Sequence, residues 1–421
     1  MMPVRNKEVF RNILLQSGIF LFLLLMGCRD KSVENYNRGC SHYTKGQYDL
    51  AISEFTKAIE INPRYGIAYN NRGNAHFRKG EYDQAISDYT RAIEINPKDA
   101  MAYYNRGSAY DEKGDYDLAM SDYNKSIEIN PEDANAYFNR ALAYSNAGKY
   151  NLAIEDYTKT IKINPWLSNA YVGRGQAHFF KGDYDLAISD CTKALEINPK
   201  NVKAYINRRN AYSKKGLHDQ AISDCTKVLE INPRNAKSYN DRGNAYSRKG
   251  EYDLAISDYT KAIEINPRIS DVYVNRGIAY AAKEEYDRAI SDFTKAIEIN
   301  PRDVGAFYRR GLAYHKKGEH DTAISDYTKA LKINPRIAEV YVGRGLAYYD
   351  KEEYDTAILD YTKAIEINPR IAEAYNNRGL TYYRKEEYDK AWEDVDKLRI
   401  MGKQIPPELL KDLREASGRE K

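Results

Sequence analysis

Between Ile67 and Arg78 the apolar residues fall three and four apart, the spacing of one helical face. The pattern stops at Gly80, resumes from Asp83 to Ile95, and stops again at Asn96-Pro97. Glycine suits the left-handed residue that closes a helix, aspartate suits a helix start, and proline cannot continue a helix. The stretch therefore predicts two short helices joined by a tight turn. It recurs every 34 residues in unbroken register from Ser32, giving eleven helix-turn-helix units over residues 32–402. Alanine holds position 20 in all eleven, glycine position 8 in nine, and proline position 32 in ten. Small residues such as Gly73 and Ala85 predict a close helix approach, with Tyr69 and Tyr89 filling the space beside it. One such hairpin cannot bury its apolar faces alone, so neighbours must stack.

Position 4 is Tyr in nine units and Phe307 in another, and position 24 is aromatic in eight. Together with the alanine, glycine and proline positions, this resembles the tetratricopeptide repeat signature, with Tyr in place of Trp at its first aromatic site. The resemblance implies an all-α fold, a right-handed superhelix (α-solenoid) of about eleven helix-turn-helix repeats. After the repeats, residues 403–421 contain Pro406-Pro407 and then Glu408 to Ala416, which predicts a capping helix and a short tail.

A second regularity accompanies the signature. Position 7 is Arg in all eleven units, from Arg38 to Arg378, and position 23 is acidic in all eleven, from Glu54 to Asp394. If the hairpin folds about position 15, the two sit at the same height. They predict a ladder of Arg–carboxylate pairs between the helices.

On the first helix of each unit, positions 2, 6, 9 and 13 form a stripe facing away from the packing positions 4, 8 and 11. Stacking turns that stripe into a continuous groove, the usual working surface of a solenoid. Position 6 is Asn in seven units: Asn37, Asn71, Asn105, Asn139, Asn207, Asn275 and Asn377. A carboxamide donates and accepts, so such a ladder can bond an extended peptide backbone without reading its sequence. It resembles the asparagine ladder in the repeat region of O-GlcNAc transferases; the alternative is a polar residue tolerated on a solvated helix. Tyr36, Tyr104, Phe138, Val172, Val342 and Tyr308 at position 5, with Leu142 at position 9 and Phe179 at position 12, add an apolar strip. Amides among apolar residues suit a peptide or an amphipathic helix better than a small metabolite. Relatives that clamp chaperone C-termini use lysines at positions 2 and 5. Here only Lys203 and Lys237 stand at position 2, and no unit has Lys at position 5.

Composition narrows the function by exclusion. Lys+Arg (65) and Asp+Glu (61) nearly balance, and the formal charge of +4 is spread without a basic stripe, so no nucleic-acid partner is expected. The six histidines form no sequence motif with Cys or carboxylates, so no metal and no cofactor are expected. Cys191 and Cys225 replace the position-24 aromatic in adjacent units and are expected as small buried side chains. Ala141 and Arg209 replace the position-8 glycine, which reads either as drift or as a local splaying of units four to six. No phosphate loop or nucleophile motif appears, which argues against an enzyme.

The chain begins differently. Arg5, Lys7 and Arg11 precede an uncharged run from Asn12 to Cys28, strongly apolar from Ile19 to Met26. A basic start followed by a short apolar stretch is the pattern of an export signal. Leu25-Met26-Gly27-Cys28 resembles the lipobox of bacterial lipoproteins, which implies a signal at 1–27, lipid on Cys28, and a short tether at 28–31; the alternatives are an uncleaved signal anchor and a soluble exported protein. The expected protein is thus an exported, membrane-anchored scaffold of a bacterial envelope that binds a protein or peptide partner. Such repeat lipoproteins serve envelope or pilus assembly. The rivals are an accessory subunit that recruits an enzyme encoded elsewhere and a self-associating structural solenoid.

Overall fold

The computed structural model describes residues 30–418. The export segment and Cys28 lie outside them. Among the described residues every regular element is a helix, 23 in all, and none is long and apolar enough to cross a membrane. The first hairpin pairs α1 (Lys31–Thr44) with α2 (Tyr48–Ile61), and the pairing repeats to α21 (Ala372–Arg384) and α22 (Tyr388–Ile400). This is the architecture of an α-solenoid. The described chain divides into two compact units, ending at Ala211 and starting at Tyr212. Within each, every helix packs mainly on the helices before and after it.

The sequence explains the turns. Position 15 is a left-handed residue; Gly80, for example, has φ 78°. Where glycine is missing, Glu284, Glu352 and Glu386 are held at φ 61–63°, a conformation that costs a side chain about 1 kcal/mol. At the end of the second helix, the Asn of each Asn-Pro accepts a bond from the backbone two residues on, as Asn96 does from the Lys98 amide at 3.2 Å. That turn directs the chain into the next first helix.

Position 8 sets the close approach. A Cβ added to Gly73, Gly243, Gly277 or Gly345 would lie 2.7 Å from the position-24 ring of its own hairpin. These rings (Tyr89, Tyr259, Phe293 and Tyr361) are almost wholly buried. Repeat four carries Ala141 at that place, and its Tyr157 leans instead over Gly173 of the next repeat, within contact of where a Cβ would be. Cys191 and Cys225 are small buried side chains, as expected.

The Arg–acid ladder is present. Arg72 clasps Asp88 with Nε and Nη2 at 2.8 and 2.7 Å, and the same two-pronged geometry recurs at Arg106–Asp122, Arg276–Asp292 and Arg378–Asp394. The sequence reading missed a third prong. Nη1 donates to position 25 of the preceding repeat: Arg72 to Thr56 at 3.0 Å, Arg208 to Thr192 at 2.9 Å, Arg344 to Thr328 at 3.0 Å. The guanidinium also lies over the position-4 ring, Arg72 being 5.4 Å from the centre of Tyr69. One arginine thus joins the two helices of its hairpin and ties the hairpin to its neighbour.

At the far end, α23 (Pro407–Ser417) lays Leu409 and Leu413 on Trp392 and Val395. The Trp392 indole donates to Ser417 at 3.0 Å.

Candidate partner-binding face

The first helices of the stacked hairpins present positions 5, 6, 9, 12 and 13 on one side. In the first unit these residues line a cleft of about 460 Å³ shared by repeats one to four. Its walls include Tyr43, Phe77, Tyr104, Asn105, Asp111, Asn139 and Leu142. The second unit has a smaller, more apolar cleft of about 230 Å³, bounded by Ile278, Phe293, Arg309, Leu312 and Lys316.

The asparagines of position 6 do sit on this face, and their chemistry differs from a free ladder. Asn71 donates to the Tyr36 hydroxyl at 2.8 Å, Asn139 to the Tyr104 hydroxyl at 2.8 Å, Asn105 to Asn70 at 3.0 Å, and Asn275 to Asn240 at 3.0 Å. Each bond runs from position 6 to position 5 of the preceding repeat. One amide hydrogen of each therefore stitches repeats together, which leaves the second N–H and the carbonyl oxygen for other partners. Asn37, at the end of the array, is exposed; Asn207 and Asn377 are half-buried.

The aromatic residues are likewise half-committed. Tyr36, Tyr104, Phe138 and Tyr308 rest on the position-24 rings of Phe55, Tyr123, Tyr157 and Tyr327, with ring centres 5.7–6.0 Å apart. Their other sides remain partly open. Burial, the main cause, lifts the Tyr36 phenol to about 12 and raises that of Tyr104, so both stay protonated. Phe179 packs across its turn on Tyr184 at 5.6 Å. Val172 and Val342, expected in the exposed strip, are instead buried. They belong to the cores around Tyr171 and Tyr361, because a short branched side chain at position 5 sinks to where an aromatic ring would extend past it.

The cleft's most unusual group was not legible from the repeat pattern. Asp111 occupies position 12, where repeats one, two and five have an aromatic ring. Its Oδ1 is buried without a hydrogen-bond partner. Burial, with a smaller push from the Glu112 charge, raises its pKa to about 6. A buried oxygen left unpaired is costly. Asp111, Asn105 and Asn139 line the same cleft, and together they favour a guest that donates hydrogen bonds.

Models of the TPR repeat match residues 39–80, 73–114 and 345–386, and tetratricopeptide repeat models match every successive 34-residue block from 100 to 337. No curated protein matches this sequence. Among solved structures, a MamA protein is 31% identical over 41% of this chain and 94% of its own, with a TM-score of 0.38. YrrB, described as a TPR protein with an unusual peptide-binding site, is 27% identical over 44% of this chain and 95% of its own, with a TM-score of 0.40. The C-terminal part of a TPR repeat-containing protein from Cytophaga hutchinsonii is 22% identical over 57% of this chain and 98% of its own. Its TM-score of 0.50 speaks for the fold alone.

Proposed function

The chain belongs to the tetratricopeptide repeat family, and from that premise we propose that it is a non-catalytic scaffold, tethered to a membrane by lipid on Cys28, that holds a peptide or partner helix against its first helices. The single observation that carries the reading is the cleft of repeats one to four, where half-open aromatic rings share the walls with Asp111, Asn105 and Asn139. Rings supply apolar area at low entropic cost, and the acceptors orient a guest that brings N–H groups. An amphipathic helix with a Lys or Arg on one edge, or a peptide backbone, meets both demands. The lipobox supports export and anchoring in a bacterial envelope, and a part in envelope or pilus assembly belongs to the same proposal.

Co-purification from detergent extracts tests it. The expected result is one stoichiometric non-self partner, retained by wild type and released by Tyr104→Ala with Leu142→Ala in a folded variant. Unchanged retention removes the cleft from the account, and recovery of the chain alone supports a self-associating solenoid. Labelled fatty acid incorporated by wild type and lost on Cys28→Ala supports the tether; label that persists contradicts it.

A further inference from the structure

The turn of repeat nine departs from its sister turns in three places at once. In five other repeats positions 12 and 17 form an aromatic brace across the turn, as with Tyr43 on Tyr48, Phe77 on Tyr82 and Tyr349 on Tyr354, whose ring centres are 5.5–5.6 Å apart. In repeat nine both are imidazoles, His315 and His320, 5.3 Å apart and edge to face. Position 13 of the following repeat changes with them. Arg78 and Arg384 reach back to the phenols of Tyr43 and Tyr349, at 3.5 and 3.2 Å. The residue that reaches back to His315 is Asp350, 2.7 Å from Nε2. A cation facing a phenol has become a carboxylate facing two imidazoles.

A ligand atom from each of His315, His320 and Asp350 lies within 4.8 Å of the other two. Zinc–nitrogen and zinc–oxygen bonds of about 2.0–2.2 Å put tetrahedral ligands roughly 3.4 Å apart, so small side-chain rotations close the set. The His315 side chain is mostly buried while that of Asp350 is 36% exposed, so the carboxylate is the member free to adjust. His320 Nδ1 is buried without a hydrogen-bond partner, so the protein leaves one of its imidazoles only partly satisfied. Lys317, in the turn between the histidines, is drawn off by Asp287 and Glu319 at 2.7 and 2.8 Å and does not compete for Asp350.

We propose that His315, His320 and Asp350 form a site for a borderline divalent cation, zinc in the first instance, with a fourth position left to water. Two nitrogens and one oxygen suit zinc; calcium and magnesium need more oxygens, and copper(I) prefers sulfur. The metal would clamp the turn of repeat nine to the first helix of repeat ten. No sequence motif announces it, because its ligands are spaced by the repeat and not by one helix.

The test is zinc binding to the chelator-treated full chain, followed by calorimetry and thermal melting, with cobalt(II) absorption reporting coordination. One saturable site with a zinc-dependent rise in melting temperature is expected. The double variant His315→Tyr/His320→Tyr rebuilds the brace of repeat ten, so it folds; it should bind at least tenfold more weakly and lose the melting shift. Asp350→Arg, which copies repeat eleven, should do the same. His76→Tyr, remote from the cluster, should leave binding intact. Zinc uptake unchanged in the double variant, or no saturable uptake by wild type, overturns the proposal.

Discussion

The seam between the two helices of a repeat and the cleft along the first helices use neighbouring positions of the same 34 residues, yet they are built on opposite principles. In the seam every strong donor is answered. Arg276, for instance, gives two bonds to Asp292 and one to Thr260, and lies over Tyr273. Its position is arginine in all eleven repeats. The first-helix face holds unlike residues at equivalent places, as with Asp111, Phe179 and His315 at position 12. It also leaves acceptors open. A closed hydrogen-bond set admits one solution and is copied unchanged; an open one can be varied repeat by repeat. The seam therefore reads as structure and the cleft as function.

Breaking the seam should have the largest effect. Arg276→Ala leaves the Asp292 carboxylate, 5% exposed, without its partner. Destabilisation of about 3–5 kcal/mol is expected, measured by denaturant melting, with hydrogen exchange showing the loss centred on repeats seven to nine. Removing a rim lysine such as Lys317 should barely move the midpoint.

Next comes the close approach. Gly277→Ala drives a methyl to 2.7 Å from Phe293, which should cost about 1–3 kcal/mol. Adding Phe293→Cys, the pairing of small residue and thiol seen in repeat five, should relieve the clash and lose apolar burial in exchange. A smaller penalty in the double variant than the two single changes would give together is the signature of direct contact.

The cleft's acid has the opposite sign. Asp111 titrates near 6 in the folded chain against 3.8 ordinarily. Between those values the folded state binds more protons than the unfolded one, so stability falls as pH rises through the window. The cost is full above pH 6 and gone below the ordinary value. Asp111→Asn should therefore be more stable than wild type at neutral pH, by about 1–2 kcal/mol after solvent screening, and should flatten the difference at acidic pH. Equal melting of the two proteins at every pH would contradict the buried-acceptor account.

The smallest effect lies in the turns. Glu284→Gly removes a side chain from a left-handed residue and should stabilise by about 0.5–1 kcal/mol, whereas the same change at an ordinary helical site would destabilise.

Much of the fold was legible because the repeat multiplies each signal elevenfold. One glycine or one Asn-Pro is a weak mark; the same mark at fixed register defines hairpins, and Arg72 with Asp88 could be paired from height alone. The link from Arg72 to Thr56 was not read from the sequence: a threonine recurs at position 25, but pairing it with position 7 needs the stagger of adjacent hairpins. The site was less legible. Sequence places Asn71, Asn105 and Asn139 on the right face, but it does not show that one amide hydrogen of each is tied to position 5 of the repeat before. Val172 looked like groove and is core. Asp111 and Asp350 escaped notice, and His315 was counted among histidines without a motif, for one reason: each is an exception to the repeat, and its neighbours are set by stacking across 34 residues.

Site-specific photocrosslinking in the native membrane tests the central claim most directly. A crosslinker at Leu142 or Leu312, on the cleft walls, should capture one and the same partner protein, while one at Lys57 or Lys261, exposed on the second helices, should capture none. Equal capture from both faces, or capture from the second helices alone, would contradict the assignment of the cleft as the working surface.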